Sequence, residues 1–209
     1  MQASPLAHHF ESLDKQAHAA RLAMWIFLAT EVLLFTALFA AYSVYRYLYP
    51  EGFAQSSRSI ETWIGFVNTL ILVSSSFTVA NGVNFATKGD GKKTGLFFGI
   101  SVLFALAFLA LKAVEYKHHF QEGQLPGKYY TFEGVHALGA PLFFSLYFLI
   151  TGLHALHVIV GMTVLIVVGT LAYRGRFSPA YYVPVENAGL YWHLVDLIWI
   201  FVFPLIYLV

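Results

Sequence analysis

The chain has 209 residues, 58% of them hydrophobic and only 11% charged, with a mean hydropathy of +0.66. Soluble domains are near a quarter charged, so this composition belongs to an integral membrane protein. A net charge of +1 excludes the basic surface that a nucleic-acid partner requires. The absence of cysteine excludes disulfides, thiolate metal sites and iron–sulfur clusters.

The first 21 residues are mixed polar, with His8, His9, Glu11, Asp14, Lys15 and Arg21. They lack the basic head, apolar core and small-residue cleavage site of a secretory signal, so the N-terminus is expected to stay on the side where it was made. Five apolar stretches follow and predict an all-α membrane protein, a single transmembrane domain over 1–209 built as a five-transmembrane-helix bundle. The first span covers about 22–47 and holds Glu31 about ten residues, or ~15 Å, past Arg21, close to the bilayer midplane. An ionised carboxylate at that depth costs roughly 2.5–3.5 kcal/mol on insertion scales, so Glu31 is expected to be protonated, hydrogen-bonded or turned toward protein. Tyr42, Tyr45, Arg46, Tyr47 and Tyr49 then form an interfacial belt, and Pro50 with Gly52 breaks the helix.

The second span, about 61–86, is rich in Ser and Asn, and Asn68 and Ser75 sit two turns apart on one face, which suits hydrogen bonds between helices. A turn with three lysines, TKGDGKK over 87–93, leads to the third span at about 94–116. That span ends in KAVEYKHH, which sets Lys112, Glu115 and Lys117 at the water boundary. Residues 118–139 read as an interfacial loop. The fourth span, about 142–173, is longer than one crossing needs and is expected to tilt or project. Within it, TGLHALHVIVGMTVLI places Thr151, His154, Val158 and Gly161 in one arc with His157 at its edge. Imidazoles and glycines on one side of an apolar helix mark a face that meets protein rather than lipid. RGRF ends this span, and the fifth, about 184–209, carries His193 and Asp196 at i, i+3, close enough to pair.

With five spans, Lys15, Arg21, Lys88, Lys92, Lys93, Arg174 and Arg176 share one side and Arg46, Arg58, Lys112, Lys117 and Lys128 the other. The excess predicts a cytoplasmic N-terminus and an external C-terminus. Three membrane histidines could ligate haem, but a buried polar side chain in a bundle more often bonds a neighbouring helix. Glu115 and His118 make one Glu-x-x-His pair where a di-iron site needs two. Glu31 could serve a proton relay, although a relay needs a chain of groups and the sequence places only one. A proton-coupled transporter centred on Glu31 is a rival, weakened because five spans do not divide into paired repeats.

Four blocks resemble subunit III of the haem–copper oxygen reductases: WIFLATEVLLFTALFAAY over 25–42, FVNTLILVSSS over 66–76, GLHALHVIVG over 152–161 and LYWHLVDLIWIF over 190–201. LKAVEYKHH over 111–119 matches more loosely through Glu115. The mitochondrial form has seven spans, and this chain begins at the equivalent of the third, like the five-span bacterial version. The resemblance implies an accessory subunit of a proton-translocating oxidase in a bacterial cytoplasmic (inner) membrane, without catalytic residues or metal, haem or quinone of its own. Haem and copper are expected in the catalytic subunit I that it packs against, with subunits II and IV and membrane phospholipid as further partners. It makes Glu31 a lipid- or proton-proximal carboxylate and Arg174 and Arg176 lipid head-group contacts. Asn68, Glu115, His154, His157, His193 and Asp196 become polar contacts between helices. Glu31 and the YWH at 191–193 lean toward the cytochrome c branch; a quinol oxidase or a nitric-oxide-reductase-associated relative are the alternatives.

Overall fold

Side-chain hydrogen bonds cap the first turn of two of the described helices. In the computed structural model, which describes residues 6–8 and 10–208, the Ser12 hydroxyl accepts the Lys15 backbone N–H at 3.2 Å and starts α1, Leu13–Leu48. Residues 1–5, His9 and Val209, the last residue of the fifth expected span, lie outside the described residues. Pro50 does more than end α1: its fixed φ starts a short second helix, α2, Pro50–Arg58. The break expected at Gly52 is instead a close approach, because a Cβ there would lie 2.2 Å from the Leu138 carbonyl oxygen. α3 spans Thr62–Thr87. Gly89, at φ +77°, then turns the chain so that Asp90 can cap α4, Gly91–Gln121. A 3₁₀ turn at Gly127–Tyr129 interrupts the following loop, and Gly139, at φ +97°, opens α5, Ala140–Tyr173. α6 covers Val183–Tyr207.

Five of these helices are long and apolar enough to cross a membrane, all but α2. Helices α3, α4, α5 and α6 pack in chain order, and α6 returns against α3 to close a ring. Trp192 and Trp199 share the buried stripe of α6; a Cβ on Gly161 of α5 would lie 2.8 Å from the Trp192 ring. Only small residues allow backbones to close so tightly around an indole. α1 lies outside this ring against α5 and α6: half of the apolar window of α6 is buried but only 11% of that of α1.

The two ends of the bundle are tied separately. At one end Gln16 donates to the Tyr181 hydroxyl, Arg21 pairs with Glu186 at 2.9 Å, and Gly89 packs on Pro179. The N-terminal flank, the lysine turn and the α5–α6 loop therefore meet on one side. At the other end the Ser57 and Thr62 hydroxyls donate to the carbonyls of Ile206 and Tyr207.

Candidate functional site

Glu31 meets His157. Its carboxyl Oε2 lies 2.8 Å from His157 Nε2 across the α1–α5 seam, with the two side chains 15% and 13% exposed. Helical back-bonding sets the ring, since His157 Nδ1 donates to the Leu153 carbonyl at 2.8 Å and Phe35 packs edge-on at 5.2 Å. A carbonyl only accepts, so Nδ1 carries a proton, and the contact with Glu31 requires one more. That proton sits either on the carboxyl, donating to neutral imidazole, or on Nε2, donating to carboxylate. The pair thus holds one transferable proton in either state. The hydrogen-bond partner of Glu31, which sequence spacing did not supply, is the histidine at the edge of the α5 arc.

A second cluster corrects the sequence reading. Lys112 and Glu115, expected at the water boundary, are 3% and 2% exposed, because α4 runs on past them to Gln121 and α5 and α6 cover that face. Lys112 Nζ donates to Glu115 Oε2 at 3.1 Å, to Tyr207 Oη at 2.8 Å and to Tyr147 Oη at 3.2 Å. Both tyrosine hydroxyls then donate to Glu115 Oε1 at 2.6 Å. All three ammonium protons and both carboxylate oxygens are used. The rings of Tyr116, Tyr147, Trp199 and Tyr207 surround the ammonium at 5.0–5.6 Å. Beside this ring His119 Nδ1 donates to the Gln124 side-chain oxygen. Tyr147, Tyr207, His119 and Gln124 were missed from sequence; the available signal was the i, i+3 spacing of Lys112 and Glu115.

The remaining polar residues divide. His193 does not pair with Asp196: its Nδ1 is 2.6 Å from the Ser76 hydroxyl of α3. Asp196, 3% exposed, has no hydrogen bond of normal length among the described residues; the His193 Nδ1 beside it is taken by the Ser76 hydroxyl of α3. Ser75 accepts the Trp192 indole N–H at 2.9 Å, whereas Asn68, on the same face of α3, is buried without a partner among the described residues. His154 likewise bonds nothing through its nitrogens; it packs by its ring, 5.6 Å from Phe108 and 5.0 Å from Trp199. Arg174 and Arg176 are exposed beyond the end of α5. Among the described residues no group of three or more His, Cys, Asp or Glu side chains forms a metal-holding cluster.

The family model for cytochrome c oxidase subunit III matches residues 6–209, nearly the whole chain. The chain belongs to the subunit III family of haem–copper oxidases. Among its relatives, cytochrome c oxidase subunit 3 of a Synechocystis sp. is 33% identical over 184 residues, covering 88% of this chain and 72% of the relative. The same subunit from a Bacillus sp. is 31% identical, covering 90% and 84%. Quinol oxidase subunit 3 of Bacillus spizizenii is 28% identical, covering 94% and 91%. As a subunit III, this membrane chain is part of a respiratory haem–copper oxidase complex and has the catalytic subunit of that complex as partner. Glu31 and His157 fall in two of the blocks that carry the resemblance, and Glu115 in the looser fifth.

Proposed function

We propose that this chain is the non-catalytic subunit III of a cytochrome c-oxidising enzyme in a bacterial cytoplasmic membrane, and that it prolongs the working life of the catalytic subunit by supporting proton uptake. The Glu31–His157 pair carries this reading, because it keeps one transferable proton at membrane depth on the seam of the least-buried spanning helix. Haem and copper belong to subunit I, with subunits II and IV completing the assembly. The N-terminus is cytoplasmic: burial of Lys112 removes it from the opposite flank, leaving four Lys and Arg there against seven. Helix–helix bonding by Glu115 and His193 and ring packing by His154 are structural roles. The higher identity to the two cytochrome c oxidase relatives supports the electron donor, and the quinol oxidase relative supports a second reading in which quinol donates.

The complex purified through this chain in mild detergent should contain haem and copper in a larger subunit and oxidise reduced cytochrome c; oxidation of quinol alone would select the second reading. In that complex Glu31→Ala should leave assembly and the initial rate within about twofold while shortening activity during sustained turnover. Immediate loss of oxygen consumption would make Glu31 an obligatory proton conductor, and an unchanged lifetime would reduce the pair to a fastener.

A further inference from the structure

The buried ring around Lys112 and Glu115 has one neighbour whose hydrogen bonding is incomplete. His119 lies in the last turn of α4, one turn beyond Glu115, and is 2% exposed. Its Nδ1 is committed. Gln124 Nε2 donates to Glu122 Oε2 at 2.9 Å, which turns the amide oxygen toward the imidazole. An amide oxygen only accepts, so Nδ1 carries a proton. His119 Nε2 faces Glu115 Oε1 at 3.8 Å, within ion-pair reach but too far for a hydrogen bond, and has no partner among the described residues. With Nδ1 alone protonated, two acceptors confront each other inside the protein, and a buried acceptor without a donor is unfavourable.

The groups that face His119 come from every element around it. Lys112, Glu115 and His118 are on its own helix, the His118 ring stacked at 6.5 Å. Tyr147 of α5 packs edge-on at 5.1 Å, and Tyr207 of α6 donates to the same carboxylate oxygen that Nε2 faces. Glu122, just past α4, acts through Gln124, and Glu61, before α3, acts through His118 at 3.4 Å. The carbonyls that end α4 also attract a cation placed in its last turn. Lys112 opposes a further positive charge, but it engages Glu115 Oε2 and leaves Oε1 to the tyrosines and the imidazole.

Water can come close. A hollow of about 300 Å³ between the start of α3 and the end of α4 is lined by Glu61, Lys117, His118 and Gln121, and Glu115 forms part of its wall. The loop beyond His119 is tied to the same imidazole. Gly123, at φ +77°, turns the chain so that the Gln124 backbone N–H returns to the His119 carbonyl at 3.0 Å.

We infer that His119 is a proton-binding site: a proton entering through the hollow adds to Nε2, and the imidazolium pairs with Glu115 and clasps the loop after α4 to the buried ring. The proton comes from water, nothing leaves, and the cluster gains one positive charge. Gln124 is then joined through the imidazole to Glu115, and through that carboxylate to Tyr147 and Tyr207 on two further helices. The clasp lies outside the Glu31 seam and does not depend on the role of Glu31.

The test is nitrogen-15 solid-state NMR of the full chain, labelled at histidine, in phospholipid bilayers. The chain has nine histidines, and loss of signals in His119→Gln identifies those of His119. On acidification from about pH 9 to about pH 5, Nε2 should pass from a bare nitrogen to an N–H while Nδ1 stays protonated throughout. Backbone order parameters of Gly123 and Gln124 should rise with it in the unaltered chain and stay level in His119→Gln. In a Lys112→Met, Glu115→Leu double variant the imidazole keeps Gln124 but loses its carboxylate, and the second proton should need at least about tenfold more acid. An Nδ1 without a proton, an Nε2 still bare at the acidic end, or a loop whose order does not follow Nε2 overturns the proposal. So does an unchanged titration in the double variant, which would show that the imidazole answers to solvent and not to Glu115. Correlation of the ring with the Gln124 side chain assigns His119 in the unaltered chain, so the first three outcomes decide the matter even should the variants fold poorly.

Discussion

Lys112 and Glu115 show how a membrane bundle can hold opposite charges away from water. Desolvating two ions is expensive, and Coulomb attraction offsets this only when the remaining protons and lone pairs are also satisfied. Tyr147 and Tyr207 meet that condition, each accepting from the ammonium and donating to the carboxylate. Breaking the pair from one side should therefore be far worse than removing it whole. Glu115→Ala should cost about 3–5 kcal/mol, because it leaves a buried ammonium and two tyrosine hydroxyls without their acceptor. A Lys112→Met, Glu115→Leu double variant should recover most of that loss. Reversible unfolding in mixed micelles would measure both; a double variant as unstable as the two single changes added together would show that the pair does not act as a unit.

Helix packing here is governed by where side chains are missing. At Gly91 and at Gly52 the would-be Cβ falls on a backbone oxygen, which cannot rotate away. At Gly99 it falls in open space. Gly91→Ala should thus destabilise by about 1–3 kcal/mol as α4 is pushed from the end of α5. Gly99→Ala should be neutral or stabilise by up to about 1 kcal/mol, through helix propensity alone. Thermal unfolding of the two variants side by side in one detergent tests the ranking, and an equal loss from both would deny the close crossing. The α4 cap adds a pH dependence. The Lys93 backbone N–H and ammonium hold the Asp90 carboxyl below the usual carboxylate range. Its folded-state pKa is lowered, so the cap is complete above the unfolded carboxylate's pKa and is lost only as pH falls through the lower folded one.

At the scale of the whole molecule, four helices close a ring and α1 is fastened to its outside. Among the described residues its fastenings include the polar contacts of Gln16 with Tyr181, Arg21 with Glu186, Glu31 with His157 and Asn187 with the Ala20 carbonyl, and the buried side chains Leu28, Phe35 and Tyr42, with Tyr42 set edge-on to Phe53 at 5.2 Å near the far end. Much of the remaining surface of α1, including Trp25, Leu33 and Val44, is exposed apolar area that suits lipid or the catalytic subunit. α1 should accordingly detach before the ring opens. Pulling the chain from its N-terminus by single-molecule force spectroscopy in a bilayer should release α1 in a first, weaker step, followed by α3–α6 together at higher force. A single cooperative rupture of all five spanning helices would contradict this division.

Length and hydropathy determined by themselves that the chain is an all-helical membrane protein with five spans, since a bilayer accepts few other backbones. The quoted blocks also carried the family, and the arc from Thr151 to Gly161 marked the protein-facing side of α5. The pairing of polar groups was not legible. Sequence spacing favoured His193 with Asp196 and left Glu31 alone, whereas the structure joins His193 to Ser76 and Glu31 to His157. It also set Glu115 at the water boundary, where a hydropathy profile places the first charges after an apolar run. Only the tertiary structure decided otherwise, because burial of an ion depends on what neighbouring helices bring to it. Tyr147 and Tyr207 reach Lys112 and Glu115 from 35 and 92 residues away along the chain.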